Sequence, residues 1–470
     1  GPQLSFLCVA GLMYFAPRWM HSSAEIDPLS RLIAENRGWM AKLLWLAGQS
    51  MRHFTLVSAT MWLLTLPLVM ARFHLCTPIA ILLNTLIWLP MAAAVVSGLL
   101  TLLLGACCPP LACASAVVCN GSLWLLEWLV GVSRHVPLGH NWVPGPDDWW
   151  LAGFYGVLGL WLAFPRCRPP RRWRVALLAA WITAGLVGSW RLADPAHLRC
   201  TFLSVGHGGA AVVELPSRQV LLYDAGEFGA PSGAARTIAG FLWTRGITHI
   251  DAIVLSHADV DHYNAVPGLL DRFSVGAIYV SPVMFEDKNQ AVSALLRAIR
   301  QSKTPIRVLS CGDRLCGGAQ CRLKVLHPPD PGVLGTDNAN SLVLLVEHLG
   351  HRILLTGDLE PPGLDDVLAE EPLDCDILAV PHHGSRRSDP VRLAAWSRPR
   401  WAVVSASRRW NLAPVEAIYR AAGAQVLETP DTGAITALLG AEGARVRCFF
   451  PFLAPCRAGG IAKQFKDSKL

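Results

Sequence analysis

The stretch Ser256-His257-Ala258-Asp259-Val260-Asp261-His262 decides the fold, and it follows directly on the apolar segment Ile253-Val254-Leu255. A short run of Ile, Val and Leu that ends in polar residues predicts a buried strand, and α/β sheets bind ligands at the carboxyl ends of such strands. Two imidazoles and two carboxylates in one turn predict a metal site, because crowded acids are costly without a cation. The alternative is a plain strand end with a capping Asp and surface His residues.

Two further predicted strands end in the same residue types. Asp358 ends the segment Ile353 to Gly357, and His382 and His383 follow Asp376 to Pro381. Taken singly, Asp358 is typical of a turn, and a pair of His residues is typical of a structural role. Three strands that all end in His or Asp instead predict convergence on one edge, which is the geometry of a two-metal hydrolase.

The order of these motifs resembles that of the ComEC family of DNA-uptake competence proteins. His257, Asp259, Asp261 and His262 are similar to the metal motif of the metallo-β-lactamase superfamily, with Asp where the second His usually stands. The other segments similar to ComEC motifs are Leu222 to Gly226, Asn338 to Leu344, Thr356 to Asp358 and Pro381 to Ser385. Strands followed by interleaved helices favour a layered α/β fold. The resemblance, from about Leu198 to Gly440, narrows this to a metallo-β-lactamase-like αββα sandwich.

The resemblance also implies a role for each site residue. The implied metal ligands are His257, Asp259, Asp261, His262, Asp358 and His382. Two of them are also catalytic, because Asp261 orients the nucleophile and Asp358 bridges the ions. The residues implied to hydrogen-bond to the metal ligands, without binding the metal themselves, are Asp224, His383, Asn340 and Ser341. The sequence leaves open which of His382 and His383 is the ligand. We expect two divalent ions, Mn²⁺ or Zn²⁺, with the carboxylates favouring Mn²⁺.

Two positions depart from the family pattern. The loop Gly206-His207-Gly208-Gly209 lacks its usual acidic and amide residues. Such a loop is typically a tight turn, although His207 has the chemistry to contact phosphate. The third His of the superfamily has no clear counterpart, and the available imidazole, His327, precedes Pro328 in a context that favours a structural role. We therefore expect weak binding of the second ion.

A basic segment follows the histidine pair. It holds Arg386 and Arg387, and a second basic segment, Arg408 to Trp410, follows the next predicted strand. Arg binds phosphate through paired hydrogen bonds, and Trp stacks on unpaired bases. We predict that Arg386, Arg387 and His207 contact nucleic acid; the alternative is an ordinary solvated pair of charges.

The composition excludes an ordinary soluble protein. Of 470 residues, 52% are hydrophobic and only 16% are charged, so part of the chain belongs in a membrane. The net charge of +7 and the 18 Trp residues suit membrane interfaces and polyanionic partners. Because no initiator Met is present, we expect the sequence to begin within a longer protein.

The amino-terminal half predicts membrane spans. No Asp, Glu, Lys or Arg occurs from Leu75 to Leu126, which we divide near Gly105 to Pro110 into two spans. Pro67 and Pro90 fall inside spans, either as kinks or as breaks that line a pathway. The basic segment Pro17 to His53 predicts a loop with an interfacial helix. The other candidates are Gln3 to Phe15 as the end of a span, Phe54 to Ala71, Trp149 to Phe164 and Val175 to Trp190.

Short basic loops stay on the cytoplasmic side, and this gives the chain an orientation. One such loop holds Arg166, Arg168, Arg171, Arg172 and Arg174. Counting outward from it places Pro17 to His53 inside and everything after Trp190 outside. We therefore expect a multi-pass protein of the cytoplasmic (inner) membrane with an exoplasmic hydrolase domain. One miscounted span inverts this orientation.

The sequence thus predicts three parts: a partial channel domain at residues 1–192, a metallo-β-lactamase-like domain at 196–450 and a basic, disordered tail at 451–470. An exoplasmic location permits a disulfide among Cys311, Cys316 and Cys321. A zinc knuckle is the weaker alternative, because a fourth ligand is missing.

The resemblance implies DNA uptake in natural competence, with a channel for one strand and a metal-dependent nuclease for the other. The expected partners are DNA, membrane lipid, other competence proteins and a second copy of the chain. One alternative is a membrane-tethered hydrolase of another phosphodiester, such as a lipid or a cell-wall polymer. Another is a channel whose hydrolase-like domain binds DNA without catalysis.

Overall fold

The computed structural model describes residues 2–22, 38–164, 166, 169–189, 196–286, 289–316, 321–408 and 410–450. The chain forms two compact units, Gly1–Trp190, called the helical unit, and Arg191–Leu470, called the sheet unit. The predicted tail at 451–470, residues 23–37 of the predicted interfacial segment, Arg168 and Arg409 lie outside the described residues.

The helical unit consists mainly of long apolar helices. Within the described residues, three are long and apolar enough to cross a membrane: Trp39–Phe73, Ala80–Gly105 and Pro109–Ser133. They contain the span predicted at 54–71 and the two predicted within 75–126. The other helices are Pro2–Ser22, Asp148–Ala163 and Arg171–Ser189, and their role as spans stays a prediction.

One helix boundary differs from the sequence prediction. Trp39–Phe73 is a single helix of 35 residues, about 52 Å long, whereas we expected a separate interfacial segment that ended at His53. The reason is that good helix formers such as Ala, Leu, Met and Lys fill the stretch before His53, and no proline interrupts it. The change in polarity at Phe54 therefore does not end the helix.

Polar and small residues of the helical unit lie between its helices. Thr85 and Ser97 are buried, and the Ser115 hydroxyl donates a 2.7 Å hydrogen bond to the Ser97 carbonyl. Pro67 and Pro90 are also buried inside their helices. Most large apolar side chains point outward. This is the pattern of helices whose surrounding solvent is lipid.

The sheet unit contains two sheets. The strands of the eight-stranded sheet, in spatial order, are Gly443–Cys448, Ile435–Gly440, Leu198–Phe202, Ala211–Glu214, Val220–Tyr223, His249–Leu255, Ser274–Val280 and Ile306–Val308. Those of the seven-stranded sheet are Gln425–Glu428, Trp401–Val404, Ile377–Ala379, His351–Leu355, Val343–His348, Cys321–His327 and Arg314–Cys316. The helices are Pro231–Thr244, Val260–Tyr263, Val266–Leu270, Gln290–Ser302, Gly363–Ala369, Pro390–Ser397, Ala413–Ala421 and Thr429–Thr432.

The main core lies between the two sheets. Val254 of the first sheet and Ile353 of the second belong to the same fully buried cluster. Side chains alternate along a strand, so Ile253 and Leu255 are buried on the opposite face of the first sheet. The outer face of the second sheet packs against Gly363–Ala369, Pro390–Ser397 and Ala413–Ala421. The predicted order of a helical membrane region followed by an αββα sandwich is confirmed.

Candidate metal centre

The candidate site forms where strands of both sheets end. In the first sheet, His249–Leu255 leads into His262, and its parallel neighbour leads into Asp224. In the second sheet, Asp358 and His383 follow two strands that are also parallel neighbours. Since the carboxyl ends of parallel strands share an edge, each sheet presents its polar side chains on one side.

The ligand atoms gather in two clusters. His257, His262 and Asp358 form one, and His207, Asp261 and His383 form the other; within each, the ligand atoms lie within 4.8 Å of one another. Asp358 faces both clusters, because its Oδ1 is 3.1 Å from His262 Nε2 and its Oδ2 is 3.7 Å from His383 Nε2. Asp261 Oδ2 is 3.3 Å from the same His383 atom. The arrangement gives Asp358 the position of a bridging ligand.

Hydrogen bonds to Nδ1 of His262 and His383, on the side away from the cluster, determine that Nε2 of each ring faces the centre. His262 Nδ1 lies 2.8 Å from Asp224 Oδ2, and His383 Nδ1 lies 2.8 Å from the carbonyl oxygen of Ser405. A carboxylate and a carbonyl only accept hydrogen bonds, so Nδ1 carries the proton in both neutral rings. Each Nε2 therefore faces the cluster. Burial opposes charge on these rings, but the Asp358 carboxylate raises the pKa of both His262 and His383, so without a metal Nε2 tends to hold a proton that a bound cation would displace.

Asp224 and Ser341 support the ligands, and Asn340 does not. Asp224 accepts hydrogen bonds from the Ser256 backbone N–H and hydroxyl at 2.7 and 2.8 Å, which holds it beside His262. The backbone N–H of Asp358 donates to Ser341 Oγ at 3.2 Å. Asn340 instead bonds in both directions to the backbone of Val333. This corrects its expected role, because the amide satisfies its own loop.

Four buried imidazole nitrogens of the candidate site complete no hydrogen bond to the described residues. They are His207 Nδ1, His257 Nε2, His262 Nε2 and His383 Nε2. Three of them lie 3.4, 3.1 and 3.3 Å from carboxylate oxygens of Asp259, Asp358 and Asp261, so imidazole nitrogens and acids converge at one buried place. Imidazole nitrogens and carboxylates together are the donor set of a divalent transition metal. The residues present therefore fit a divalent metal site.

The charges of the site reinforce one another. Burial opposes ionisation of Asp358, but the charges of His262 and His383 hold its pKa well below the ordinary value. Burial likewise opposes ionisation of Asp261, and contact with His383 lowers its pKa to about 2. Burial, assisted by the His383 charge, lowers the pKa of His207 to about 4. At neutral pH both acids are therefore anionic, and His207 is neutral.

The structure reverses the expected roles of the histidine pair. His383 is buried and lies in the cluster. His382 is turned away, with Nδ1 at 2.6 Å from Glu360 Oε1 and Nε2 at 3.9 Å from Asp358 Oδ2. This corrects the choice of His382 as the ligand. Both residues have left-handed backbone angles, φ 49° and 53°, so a strand-like alternation of side chains does not apply there.

His207 and Asp259 also lie differently from expectation. His207, expected to contact phosphate, joins the cluster of Asp261 and His383. A side chain on Gly208 would meet the backbone of Gly226 and Asp261, so only glycine lets this loop approach so closely. Asp259, expected as a ligand, lies outside both clusters with its side chain 50% exposed, 3.4 Å from His257 Nε2.

Other predicted positions have simpler surroundings. His327 Nε2 lies 2.8 Å from the Ala339 carbonyl, the structural role that its His-Pro context favours. Arg386 and Arg387 are exposed, and neither forms an ion pair within the described part of the chain. Cys311 and Cys321 have free thiols, and the side chain of Cys316 lies outside the described atoms.

Sequence reasoning missed two residues that bind the histidine pair. Glu360 accepts a hydrogen bond from His382, and the Ser405 carbonyl accepts one from His383. Ser405 follows the strand Trp401–Val404 directly, so the strand-end rule that found Asp358 also points to it. Glu360 stands two residues beyond Asp358 in a turn, and no periodicity marks it.

Two family models match the chain. Residues 1–168 match the family described as Competence protein, and residues 205–392 match the Metallo-beta-lactamase superfamily. The helical unit thus carries a competence-protein region. The sheet unit carries a region that matches the Metallo-beta-lactamase superfamily, and the two ligand clusters lie in it.

The chain is similar to several individual proteins. ComE operon protein 3 of Bacillus subtilis is 33% identical over 177 residues, 37% of this chain and 22% of that protein. Competence protein ComA of Neisseria gonorrhoeae is 27% identical over 355 residues, 73% of this chain and 46% of that protein. The Zn²⁺-bound structure of PqqB from Methylobacterium extorquens is 13% identical with a TM-score of 0.33, and the match covers 47% of this chain and 85% of that one. The chain spans less than half the length of either curated relative.

Proposed function

We propose that this chain, which belongs to the ComEC family of competence proteins, takes part in DNA uptake in natural competence. In this proposal the helical unit is part of the channel for one DNA strand. The sheet unit is a metal-dependent phosphodiesterase that degrades the strand that is not transported.

One observation carries the hydrolase part of the proposal. The buried Nε2 atoms of His257, His262 and His383 have no hydrogen-bond partner among the described residues, yet they surround Asp358. Asp224 and Ser405 hold two of these rings in the tautomer that a metal ligand needs. Several imidazole nitrogens and carboxylates that converge at one buried place are the donor set of a divalent cation, and cation binding explains this arrangement.

The residues that would hold two divalent ions, Mn²⁺ or Zn²⁺, are His257, His262 and Asp358 on one side and His207, Asp261 and His383 on the other. Bound divalent metal supplies a Lewis acid and lowers the pKa of water toward neutrality. Asp261, which is anionic and partly exposed, orients the attacking water. The water oxygen adds to phosphorus and gives up a proton to solvent, the bond to one sugar oxygen breaks, and that oxygen takes up a proton from solvent, so one water is consumed.

Residues at the rim of the site hold the substrate. Arg386 and Arg387 form no ion pair with the residues that the structure describes, and their guanidinium groups on the loop after His383 bind the phosphates of the strand. His382, held by Glu360 and only 24% exposed at its side chain, contacts the reacting phosphate from the side of Asp358.

The proposed location is the cytoplasmic membrane, with the sheet unit on the exoplasmic side. This orientation requires that Asp148–Ala163 and Arg171–Ser189 both cross the membrane. The proposed partners are double-stranded DNA that arrives outside, membrane lipid, other proteins of the competence machinery and a second copy of the chain.

The test is cleavage of single-stranded DNA with Mn²⁺ by the full chain in detergent, compared with Asp261→Ala. We expect the variant to lose about 10²-fold or more in rate, while Asp271→Ala, an exposed acid at a helix end, keeps the full rate. DNA binding without cleavage by the unmodified chain would contradict the nuclease. Cleavage of a lipid or cell-wall phosphodiester in its place would support the other hydrolase function.

A further inference from the structure

Two large apolar rings stand exposed at the mouth of the metal centre. Trp410 is 49% exposed and Phe228 is 80% exposed. Each ring exposes apolar area that an ordinary fold would cover with other side chains. Their position beside a polar cluster differs from that of scattered surface residues, because exposed aromatic groups at a site indicate a ligand that covers them.

Trp410 stacks directly on one of the proposed metal ligands. The Trp410 ring stacks on His207, with centroids 4.6 Å apart and planes inclined by 28°. His207 in turn lies 4.2 Å from the His383 ring. Phe228 meets His207 edge to face at 6.1 Å. One face of Trp410 is therefore fixed against the centre, and its other face is open.

The loops that carry these rings are tied to the centre. The Ser405 hydroxyl donates to the Gly208 carbonyl at 2.9 Å, which joins the loop before Trp410 to the loop of His207. The Phe228 backbone N–H donates to the His207 carbonyl. A side chain on Gly384 would lie 2.9 Å from Leu412, so the loop of Arg386 packs against the loop of Trp410. The rings of Trp410 and Phe228, the loop of Arg386 and the metal-ligand cluster therefore border the same site.

The surroundings of Trp410 suit a planar base better than a second phosphate. An open cavity of about 520 Å³ borders Trp410, and its wall includes Arg408 together with Glu428 and Asp431. The two acids repel phosphate, whereas carboxylates accept hydrogen bonds from the N–H groups of bases, among them the ring N–H of thymine. The Arg408 guanidinium already donates to the Pro430 carbonyl. Phosphates therefore lie toward Arg386 and Arg387, and the base lies in the cavity.

We propose that Trp410 and Phe228 form a stacking platform that holds an unpaired nucleobase next to the phosphate to be cleaved. Only a base released from its duplex offers a free face to such a ring. The platform thus makes the centre selective for single-stranded nucleic acid. The inference rests on the proposed nuclease function and names the specificity residues of that site.

The test compares two labelled oligonucleotides of equal length, one of thymidine and one with abasic sugars throughout. Binding is measured by fluorescence anisotropy with the full chain in detergent, and cleavage is followed separately with Mn²⁺. We expect Trp410→Ala and Phe228→Ala each to weaken binding of the thymidine strand by about tenfold, in line with the loss of one stacked base. Neither variant should change binding of the abasic strand.

Two further variants control for damage to the fold. Trp410→Phe keeps an aromatic face, and we expect it to restore most of the affinity. Val308→Ala removes another exposed apolar group, on the edge strand Ile306–Val308, and should bind both strands as the unmodified chain does. Metal content measured on each variant shows whether His207 and the cluster are intact.

The outcomes separate the inference from the nuclease proposal. If the unmodified chain cleaves DNA but Trp410→Ala binds the thymidine strand with unchanged affinity, the platform is refuted and the nuclease stands. If no cleavage occurs but binding depends on Trp410 and on the bases, the stacking contact stands as a DNA-binding site and the nuclease is refuted. Equal affinity of the unmodified chain for the thymidine and abasic strands also refutes the platform.

Discussion

The helical unit and the sheet unit use burial in opposite ways. In the helical unit, Val95 is 66% exposed, and the buried positions include Thr85, Ser97 and Pro90. In the sheet unit, apolar side chains fill two cores, and Val391 is unusual in being 61% exposed. Similar exposure thus means contact with lipid in one unit and contact with water in the other. The surrounding solvent decides what an exposed side chain costs.

Buried polar groups differ between the units as well. In the helical unit they are hydroxyls that donate to neighbouring backbone carbonyls, such as Ser97 and Ser115. In the sheet unit they include ionisable groups gathered at one place, among them His262 and Asp358. Hydroxyls satisfied in this way suit helix packing. Concentrated, unpartnered imidazoles indicate a site where a ligand completes the structure.

The largest expected effect separates the two neighbouring histidines. We expect His383→Ala to lower Mn²⁺-dependent phosphodiester cleavage by about 10²-fold or more, because it removes a ligand atom from the cluster. His382→Ala should keep the bound metal, because its imidazole binds Glu360 instead. Elemental analysis of the purified full-length variants measures the metal. Loss of metal from His382→Ala and not from His383→Ala would reverse the assignment.

A matched pair of valines tests whether solvent decides the cost of exposure. Val95→Lys lies near the centre of Ala80–Gly105, and we expect it to lower the free energy of unfolding in a bilayer-like environment by about 3 kcal/mol. Val391→Lys has nearly the same exposure but faces water, so its effect should stay within about 0.5 kcal/mol. Unfolding in mixed micelles measures both. Equal costs would show that Ala80–Gly105 does not face lipid.

The smallest expected effect concerns Asp224, which hydrogen-bonds to Nδ1 of the proposed ligand His262. Asp224→Asn leaves an amide that can donate to His262 Nδ1, which favours the wrong tautomer of the ring. We expect metal affinity to fall by about 10- to 100-fold, as measured by competition with a coloured chelator. Asp365→Asn, which removes an exposed acid paired with Arg392, is the matched control. An unchanged affinity in Asp224→Asn would mean that the tautomer of His262 is fixed by other contacts.

Local sequence rules predicted where the ligands lie along the chain better than which way their side chains point. The strand-end rule located Asp224, Asp358 and the histidine pair, because the ends of β-strands follow from apolar runs and turn residues. It did not decide between His382 and His383, because left-handed backbone angles there replace the alternation of a strand. The proximity of His207 to the cluster depends on long-range contact between two loops, which no local pattern encodes.

The helical unit shows the same division. Hydropathy located the three long helices, since an uncharged stretch has few alternatives to a membrane. It did not give the start of Trp39–Phe73, because a helix continues through a change in polarity when its residues favour helix.

In the sheet unit, the role of Asn340 was also beyond sequence reasoning, because a side-chain amide hydrogen-bonds to its own loop as readily as to a distant carboxylate.

Three residues of the metal centre, Asp224, His382 and His383, have left-handed backbone angles that suit glycine better than other residues. Each such residue costs about 1–2 kcal/mol, so the backbone around the centre is strained at three functional positions. Glycine at these positions would relieve the strain and would remove the functional side chains. Thermal robustness and activity therefore place opposite demands on the same three positions, and a variant selected only for heat tolerance is expected to become inert.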